Sequence, residues 1–332
     1  GKLLAATFME MWDALGSEKL TLVELGGSDG ALAESVLRAL EEKGRERWVS
    51  LHLVEASPLA LTAARRRLSR YAHVHFHGSV AEMEHTAGIE GCLYSNEFFD
   101  ALPFHRILWK EGRLWELWVE MDGDTLCERP GPLTPGLAEA VAFSGISLEE
   151  GNEGEIFLSM EETMEDISRV LSRGFVMTVD YGGTGMELFG DHRPRGTRRT
   201  FAQHALGDDP FTEIGEKDIT AHVDFARLAK LGESRELQPL VYARQGSYFL
   251  SAGENILQAA VEGTPEPDRA KMARQVQQLI HPHSFGGAFQ VLVQGKNVGG
   301  VTLSGAQRNR LQRLIVPAIQ SNRDSSNFPS KS

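Results

Sequence analysis

Leu20-Thr21-Leu22-Val23-Glu24-Leu25-Gly26-Gly27-Ser28-Asp29-Gly30 is a largely apolar run that breaks into a glycine cluster. A short run of this kind, closed by glycines, reads as a buried strand leaving a sheet through a tight turn. Helical periodicity resumes at Ala31 and continues to about Lys43. Glycine lets the backbone bend sharply and lie against a ligand, and the helix that follows offers unpaired N–H groups. Strand, glycine turn and helix in that order suggest a ligand site at the end of the strand.

The frame of the glycines narrows the ligand. A dinucleotide fingerprint needs small residues in a G-x-G-x-x-G arrangement, which here would fall on Gly26, Ser28 and Ala31. That match is poor and disfavours a nicotinamide-dependent oxidoreductase. Gly26 and Gly30, with Glu24 two residues before the first, fit a turn for S-adenosylmethionine (SAM), which brings no pyrophosphate. The next strand, Val49 to Val54, is followed by Glu55, where doubly wound folds place a carboxylate for ribose hydroxyls. An ionised carboxylate accepts two hydroxyl hydrogen bonds at once. Glu55 and the turn could also be structural, as a helix cap and a tight connection.

The pattern extends in both directions. Upstream, Leu4, Phe8, Met11, Trp12 and Leu15 share a helical face. Downstream come a helix from Ser57 to about Ser69, a strand at His73–His77 and a fourth strand at Gly91–Ser95. Such alternation predicts an α/β fold with a mostly parallel sheet and helices on both faces. Beyond Pro103, His105–Trp109 and Leu114–Val119 flank a hairpin turn, and Asp122–Pro135 reads as a Gly- and Pro-rich loop or excursion. A helix at about Met160–Leu171 feeds a strand at Gly174–Asp180 in the central sheet. Gly182–Pro210 is expected to be a long loop or small subdomain, and Phe289–Val293 the last strand. The expected organisation is one domain over 1–300, with insertions around 105–150 and 182–215, and a frayed tail over 301–332.

Composition bounds the function. The chain has 332 residues, 41% hydrophobic, which is ample for a full core. No apolar run reaches the roughly 18 residues of a bilayer span, and Gly1-Lys2-Leu3-Leu4 opens into a helix pattern rather than a cleavable signal. A formal net charge of −12 disfavours nucleic acid as a partner. Cys92 and Cys127 form neither a disulfide framework nor a metal cluster, so a reducing compartment is expected. His281 and His283 lack the neighbours a metal site would need.

The fourth strand opens onto Tyr94-Ser95-Asn96-Glu97-Phe98-Phe99-Asp100-Ala101-Leu102-Pro103 at the sheet edge where ligands bind. Asn96 and Glu97 can hydrogen-bond cofactor and substrate, Phe98 and Phe99 can exclude water, and Asp100 reads equally as a loop brace. Val23-Glu24-Leu25-Gly26, Ser95–Pro103, Val179-Asp180-Tyr181-Gly182 and Asp218-Ile219-Thr220-Ala221-His222-Val223-Asp224-Phe225 together resemble the MidA family of SAM-dependent methyltransferases. The likeness runs from Gly1 to about Val298. The resemblance implies a class I, Rossmann-like methyltransferase fold, SAM as methyl donor and a protein substrate. It places Asn96, Glu97, Asp180, His222 and Asp224 near the reaction. Its mitochondrial members are complex I assembly factors that methylate a protein arginine, so the expected acceptor is a guanidinium, with a respiratory complex subunit as candidate substrate. The expected compartment is cytoplasmic for a bacterial chain or the mitochondrial matrix for a eukaryotic one, with a homodimer compatible.

The expected cofactor shell is Glu24, Gly26, Gly27, Ser28, Asp29, Gly30, Glu55, Ser79 and Asn96. Asp180 could hold a guanidinium through paired hydrogen bonds, while Asp224 serves equally as a helix N-cap. Arg193, Arg195, Arg198 and Arg199 read as a solvated loop able to grip an acidic partner. The family turn reads E-x-G-P-G-[RK]-G, against which Gly27, Ser28 and Asp29 are departures. The family's upstream segment with its T-S-P motif precedes this sequence, which sets an expectation of SAM binding with slow transfer, or of a non-catalytic assembly factor. The ribose assignment is checked by calorimetry on Glu55→Ala, which should weaken SAM binding by about 1–3 kcal/mol; unchanged affinity would reject it.

Overall fold

The computed structural model describes residues 1–314 apart from 87, 203, 204 and 208. Helix α1 (Lys2–Leu15) buries the expected Leu4, Phe8, Met11, Trp12 and Leu15, and ends where Gly16 turns left-handed. Then β1 (Leu20–Leu25), α2 (Ala31–Glu41), β2 (Val49–Val54), α3 (Pro58–Arg67), β3 (Val74–His77) and β4 (Ile89–Asn96) alternate as the periodicity predicts. Ser57 caps α3, accepting from the Ala60 N–H, with Pro58 in the first turn.

The chain next leaves the central sheet. β5 (His105–Lys110), β6 (Arg113–Asp122) and β7 (Thr125–Gly131), joined after α4 (Leu137–Ser144) by β8 (Glu153–Ile156), form an antiparallel sheet in the order β7-β6-β5-β8. The stretch expected as a loop or excursion over Asp122–Pro135 therefore contains a strand. Thr125, Leu126 and Cys127 pair with β6, and the Gly and Pro that suggested a loop fall at the sheet's edge, where a missing N–H is tolerated.

Helix α5 (Ser159–Val170) returns the chain to β9 (Leu171–Gly183). After α6 (Gly185–Leu188), the stretch read as a long loop or small subdomain contributes β10 (Arg199–Ala202) and β11 (Ala205–Gly207) to a three-stranded sheet completed by β12 (Asp218–Thr220). β13 (Val223–Asp224) then lies parallel to the end of β9 and leads into α7 (Phe225–Glu233). Sequence periodicity did not reveal β14 (Gln238–Arg244), α8 (Gln245–Glu262) or α9 (Arg269–Ile280); α10 (Phe285–Ala288) and β15 (Phe289–Lys296) follow.

The central sheet runs β14-β15-β9-β4-β1-β2-β3, with only β15 antiparallel to its neighbours. The chain builds outward from β1 to β3, then restarts at β4 on the other side of β1. That reversal opens a crevice at the carboxyl ends of β1 and β4. One face is covered by α1 and α2 through Phe8, Met11, Val36 and Leu40, the other by α5 and α7 through Met160, Met164, Ile167 and Leu228. Each such burial contributes about 1.5–3 kcal/mol. Of the expected tail, 301–314 instead joins the body: Ser304 hydrogen-bonds Glu10, and the Asn309 side chain bonds Leu240 and Tyr242 of β14. Residues 315–332 lie outside the described residues.

Two glycines let the centre of the sheet close. Gly91 of β4 sits in register between Thr21 of β1 and Gly174 of β9. A Cβ on Gly91 would stand 1.9 Å from the Thr21 carbonyl oxygen, and one on Gly174 1.9 Å from that of Gly91. Gly91→Ala should therefore lower stability by about 1–3 kcal/mol or more, read as a fall in the urea midpoint; a midpoint equal to that of the parent would refute the close approach.

Candidate active site

The glycine turn crosses the end of β1. Gly26 (φ 69°), Ser28 (φ 46°) and Gly30 (φ 80°) are left-handed. The N–H groups of Gly26 and Gly27 both donate to the Val54 carbonyl, at 2.9 and 3.1 Å. Glu55 braces the turn from the next strand: Oε2 accepts the Ser28 N–H at 2.9 Å and Oε1 the Ser57 N–H at 2.7 Å. Each carboxylate oxygen keeps a second acceptor direction. Asp29 caps the turn, its Oδ1 accepting from the Ala31 N–H while Arg67 reaches Oδ2 at 2.6 Å. Glu24 is buried beneath, with Oε2 lacking a hydrogen-bond partner, and burial pushes its carboxyl up to about 8.

Two departures from the family turn have local explanations. An ideal Cβ on Gly27 would meet the Leu53 side chain at 2.3 Å, so the proline of the family pattern has no room here. A proline would also lack the N–H that Gly27 donates to Val54. At position 29 the basic residue of the pattern is replaced by Asp29, and the positive charge comes from Arg67 on α3 instead.

Beside the turn, β4 delivers Asn96 and Glu97 to the switch point. Asn96 Nδ2 donates to Glu97 Oε1 at 3.2 Å, and the Glu97 N–H donates to the Val179 carbonyl at 3.1 Å. Glu97 is left-handed (φ 52°), a costly backbone state for a glutamate. Phe98 lies against Gly26, where a Cβ would meet its ring at 2.9 Å, and packs edge-on with buried Phe99.

Asp180, expected to hold the acceptor directly, is in the right place but turned inward. It is 0% exposed, and its Oδ2 accepts the N–H groups of Phe98, Phe99 and Asp100 at 3.2, 2.9 and 3.3 Å. Its Oδ1 accepts the Tyr181 N–H at 2.9 Å. Four backbone donors leave it no face for a substrate. Asp100, for which a ligand role and a loop brace are equally expected from the sequence, is 4% exposed and has an unpartnered Oδ1. Burial, then the charge of Glu97, pushes its carboxyl up to about 6. Burial, then the charge of Asp100, pushes the Asp180 carboxyl well above the usual carboxylate range, against the opposing pull of the N–H groups of Phe99, Tyr181 and Asp100.

Asp100 lines a cavity of about 780 Å³ with Glu97, Ala101, Tyr181, Phe201, Lys217, Asp218, Ile219 and Thr220. The 218–224 segment is tied to this edge by the Ala221 N–H, which donates to the Asp100 carbonyl at 3.1 Å. His222 stacks near Tyr181 (17° between planes), and its Nδ1 faces the Arg193 guanidinium at 3.2 Å. Burial, then Arg193 and Arg199, push His222 down to about 4, so it is neutral at pH 7 and accepts at Nδ1. Asp224 pairs with Gly183 at the end of β9 and is not among the residues lining that cavity. It is the N-cap of α7, with Oδ1 accepting from Ala226 and Arg227 at 3.0 and 3.3 Å. Ser79 follows β3 and is exposed, and its hydroxyl accepts the Glu82 N–H at 3.3 Å.

The arginine loop is not a free basic patch. Arg198 pairs with Glu128 at 2.6 Å, and buried Arg106 binds Glu128 and Glu153 and donates to the Arg195 carbonyl. The Glu155 carboxylate accepts the N–H groups of Thr197 and Arg198. The loop is thereby anchored on the acids of the antiparallel sheet.

Residues 3–243 match the family model of an S-adenosyl-L-methionine-dependent methyltransferase. The chain belongs to this methyltransferase family. It is 27% identical to mitochondrial protein arginine methyltransferase NDUFAF7 of Danio rerio, covering 96% of this chain and 78% of that protein. For the Homo sapiens protein of the same name the figures are 28%, 87% and 69%. A Burkholderia thailandensis protein solved with bound S-adenosyl-homocysteine superposes with a TM-score of 0.82 at 26% identity, covering 94% of this chain and 80% of that one. The methyltransferase therefore uses SAM, and its residues fit it: a left-handed glycine turn, spare acceptor directions on Glu55 and the orphaned oxygen of Glu24. Among the described residues no His, Cys, Asp and Glu side chains are grouped to hold a metal ion.

Asp180→Asn places an amide N–H₂ or a single oxygen against four donors, and should destabilise the methyltransferase by about 1–3 kcal/mol. An unaltered chemical unfolding midpoint would show that the carboxylate does not hold the 98–100 loop.

Proposed function

We propose that this methyltransferase moves the SAM methyl group to an arginine guanidinium on a protein partner. The observation that carries the reading is the cavity at the carboxyl end of β4, whose lining residue Glu97 precedes the Phe98 that touches the glycine turn. Glu97, Asp100 and Asp218 give it negative charge, and Tyr181, Phe201 and Ile219 give it flat apolar walls. A planar cation with apolar faces and N–H edges suits both surfaces. The names of the NDUFAF7 relatives support the same acceptor.

In this reading Gly26, Gly27, Ser28 and Gly30 admit the cofactor to the end of β1, with Asp29 and Ser79 as flanking supports. Glu55 accepts the ribose hydroxyls, and Glu24 offers its free oxygen to the cationic methionine portion. SAM supplies an activated methyl group when bound. Asn96 orients Glu97, and Glu97 holds the guanidinium so that its nitrogen faces that methyl. Phe98 excludes water from one side. Asp180 acts as a positioning residue through the 98–100 backbone, Asp224 through the start of α7, and neutral His222 through Tyr181. The partner is a protein, and assembly of a respiratory complex is the setting that the family resemblance implies. No helix among the described residues is long and apolar enough to cross a membrane.

The test is transfer from radiolabelled SAM to proteins of a matched lysate, followed by hydrolysis and identification of the labelled amino acid. Methylarginine is expected, and label on another residue type overturns the acceptor. Asn96→Ala and Glu97→Ala should each slow transfer on the order of 100-fold while leaving the unfolding midpoint nearly unchanged. A variant that unfolds while its folded fraction keeps full activity would mark that residue as structural.

A further inference from the structure

The acids around the cavity are not equivalent. Asp180 is saturated by backbone donors, Glu97 is exposed and engaged by the Asn96 amide, and Asp218 is exposed on β12. Asp100 alone among these carboxylates combines near-complete burial, an unpartnered oxygen and a place in the cavity wall. A buried carboxyl oxygen without a donor costs stability, and such an atom in a cavity wall awaits a donor from the ligand.

We propose that Asp100 is the proton acceptor of the transfer step, its free Oδ1 taking the proton that the acceptor nitrogen sheds as the N–C bond forms. This rests on the arginine reading above. The balance is closed by groups already named. The guanidinium nitrogen bonds to the methyl carbon, and the carbon–sulfur bond breaks with its electron pair left on sulfur. The acceptor would then carry two positive charges, so a proton leaves its nitrogen for Asp100 and passes on to solvent in the cavity. The product is a methylguanidinium with one positive charge and a neutral thioether.

The surroundings fit this role. The backbone of Asp100 is fixed from two sides, its N–H by Asp180 and its carbonyl by the Ala221 N–H. The titratable groups facing it are Asp180 and Tyr181 from β9, Glu97 from the β4 end, and Lys217 and Asp218 across the cavity. Lys217, also in the lining, is engaged elsewhere, donating to Thr212 and pairing with Glu213, and among the described residues no cation is one of the charges that shift Asp100. A carboxyl held near 6 by burial is ionised at pH 7 to 8 and still basic enough to take the proton.

The test compares the parent chain, Asp100→Asn and Asp100→Glu in two measurements. The first is calorimetry of methylguanidine binding to the S-adenosyl-homocysteine complex at pH 5 and pH 7.5. The second is the pH profile of label transfer to lysate proteins. In the parent, binding should strengthen about tenfold between the two pH values, and transfer should rise through pH 6 to a plateau. Asp100→Asn should bind methylguanidine without pH dependence and transfer about 100-fold more slowly, with S-adenosyl-homocysteine affinity and unfolding midpoint retained. Asp100→Glu, which keeps the carboxyl, should restore the pH dependence, and its failure to do so would count against the proposal. If the parent labels arginine and Asp100→Asn keeps its rate and pH profile, the proposal falls and the arginine reading stands. If the parent labels a different residue and does not bind methylguanidine, both fall.

Discussion

The carboxylate of Asp180 accepting four backbone N–H groups is the joint on which the reacting edge depends. Where β4 ends, the chain must turn from the sheet across the crevice, and that turn points the N–H groups of Phe98, Phe99 and Asp100 inward. Buried donors need acceptors, and β9 supplies one in Asp180, whose other oxygen accepts the N–H of the next residue, Tyr181. The consequences spread both ways. Phe98 is held against Gly26 of the cofactor turn, and Asp100 is held in the cavity wall, where its carbonyl fastens Ala221. In the proposed function, cofactor side and acceptor side are therefore two ends of one short, hydrogen-bonded segment.

A second constraint is electrostatic. The antiparallel sheet and the arginine loop belong to different excursions of the chain, and opposite charges join them. Arg106 and Arg198 share Glu128, and Glu155 receives the backbone of the loop. Desolvated ion pairs of this sort add little stability over apolar packing but penalise misaligned alternatives strongly. They fix where the loop carrying Arg193 lies, and that guanidinium adds to the burial that keeps His222 neutral beside Tyr181.

The sequence made the first four strands and the glycine turn legible because their signals are local. Short strand-like runs, glycines at fixed offsets and an acid after the second strand need no knowledge of distant neighbours. β7 was hidden because Pro130 and Gly131 resemble a loop until an adjacent strand is known. Helix α9 contains no buried residue, so burial leaves little signature in its sequence. At the site, residue type indicated which acids gather at the edge but not which way they turn. Asp180 and Asp100 both looked eligible to meet a substrate or brace a loop, and only the fold assigns the four N–H groups to the first. Asp224 shows the same limit, since a cap and a ligand call for the same residue before a helix.

The contact between Gly27 and Leu53 has a consequence for how this turn could have diverged from the pattern of its relatives. Leu53 occupies the volume that a proline ring at position 27 would need, so the two positions are not free to change independently. Starting from the present pair, Gly27→Pro alone meets a clash and loses a hydrogen bond, whereas trimming Leu53 first opens a small cavity at modest cost. One order of replacement descends into a deep valley and the other crosses a shallow one. A lineage that had acquired the bulky leucine would be held at glycine, and the unusual turn would persist as a record of which change came first.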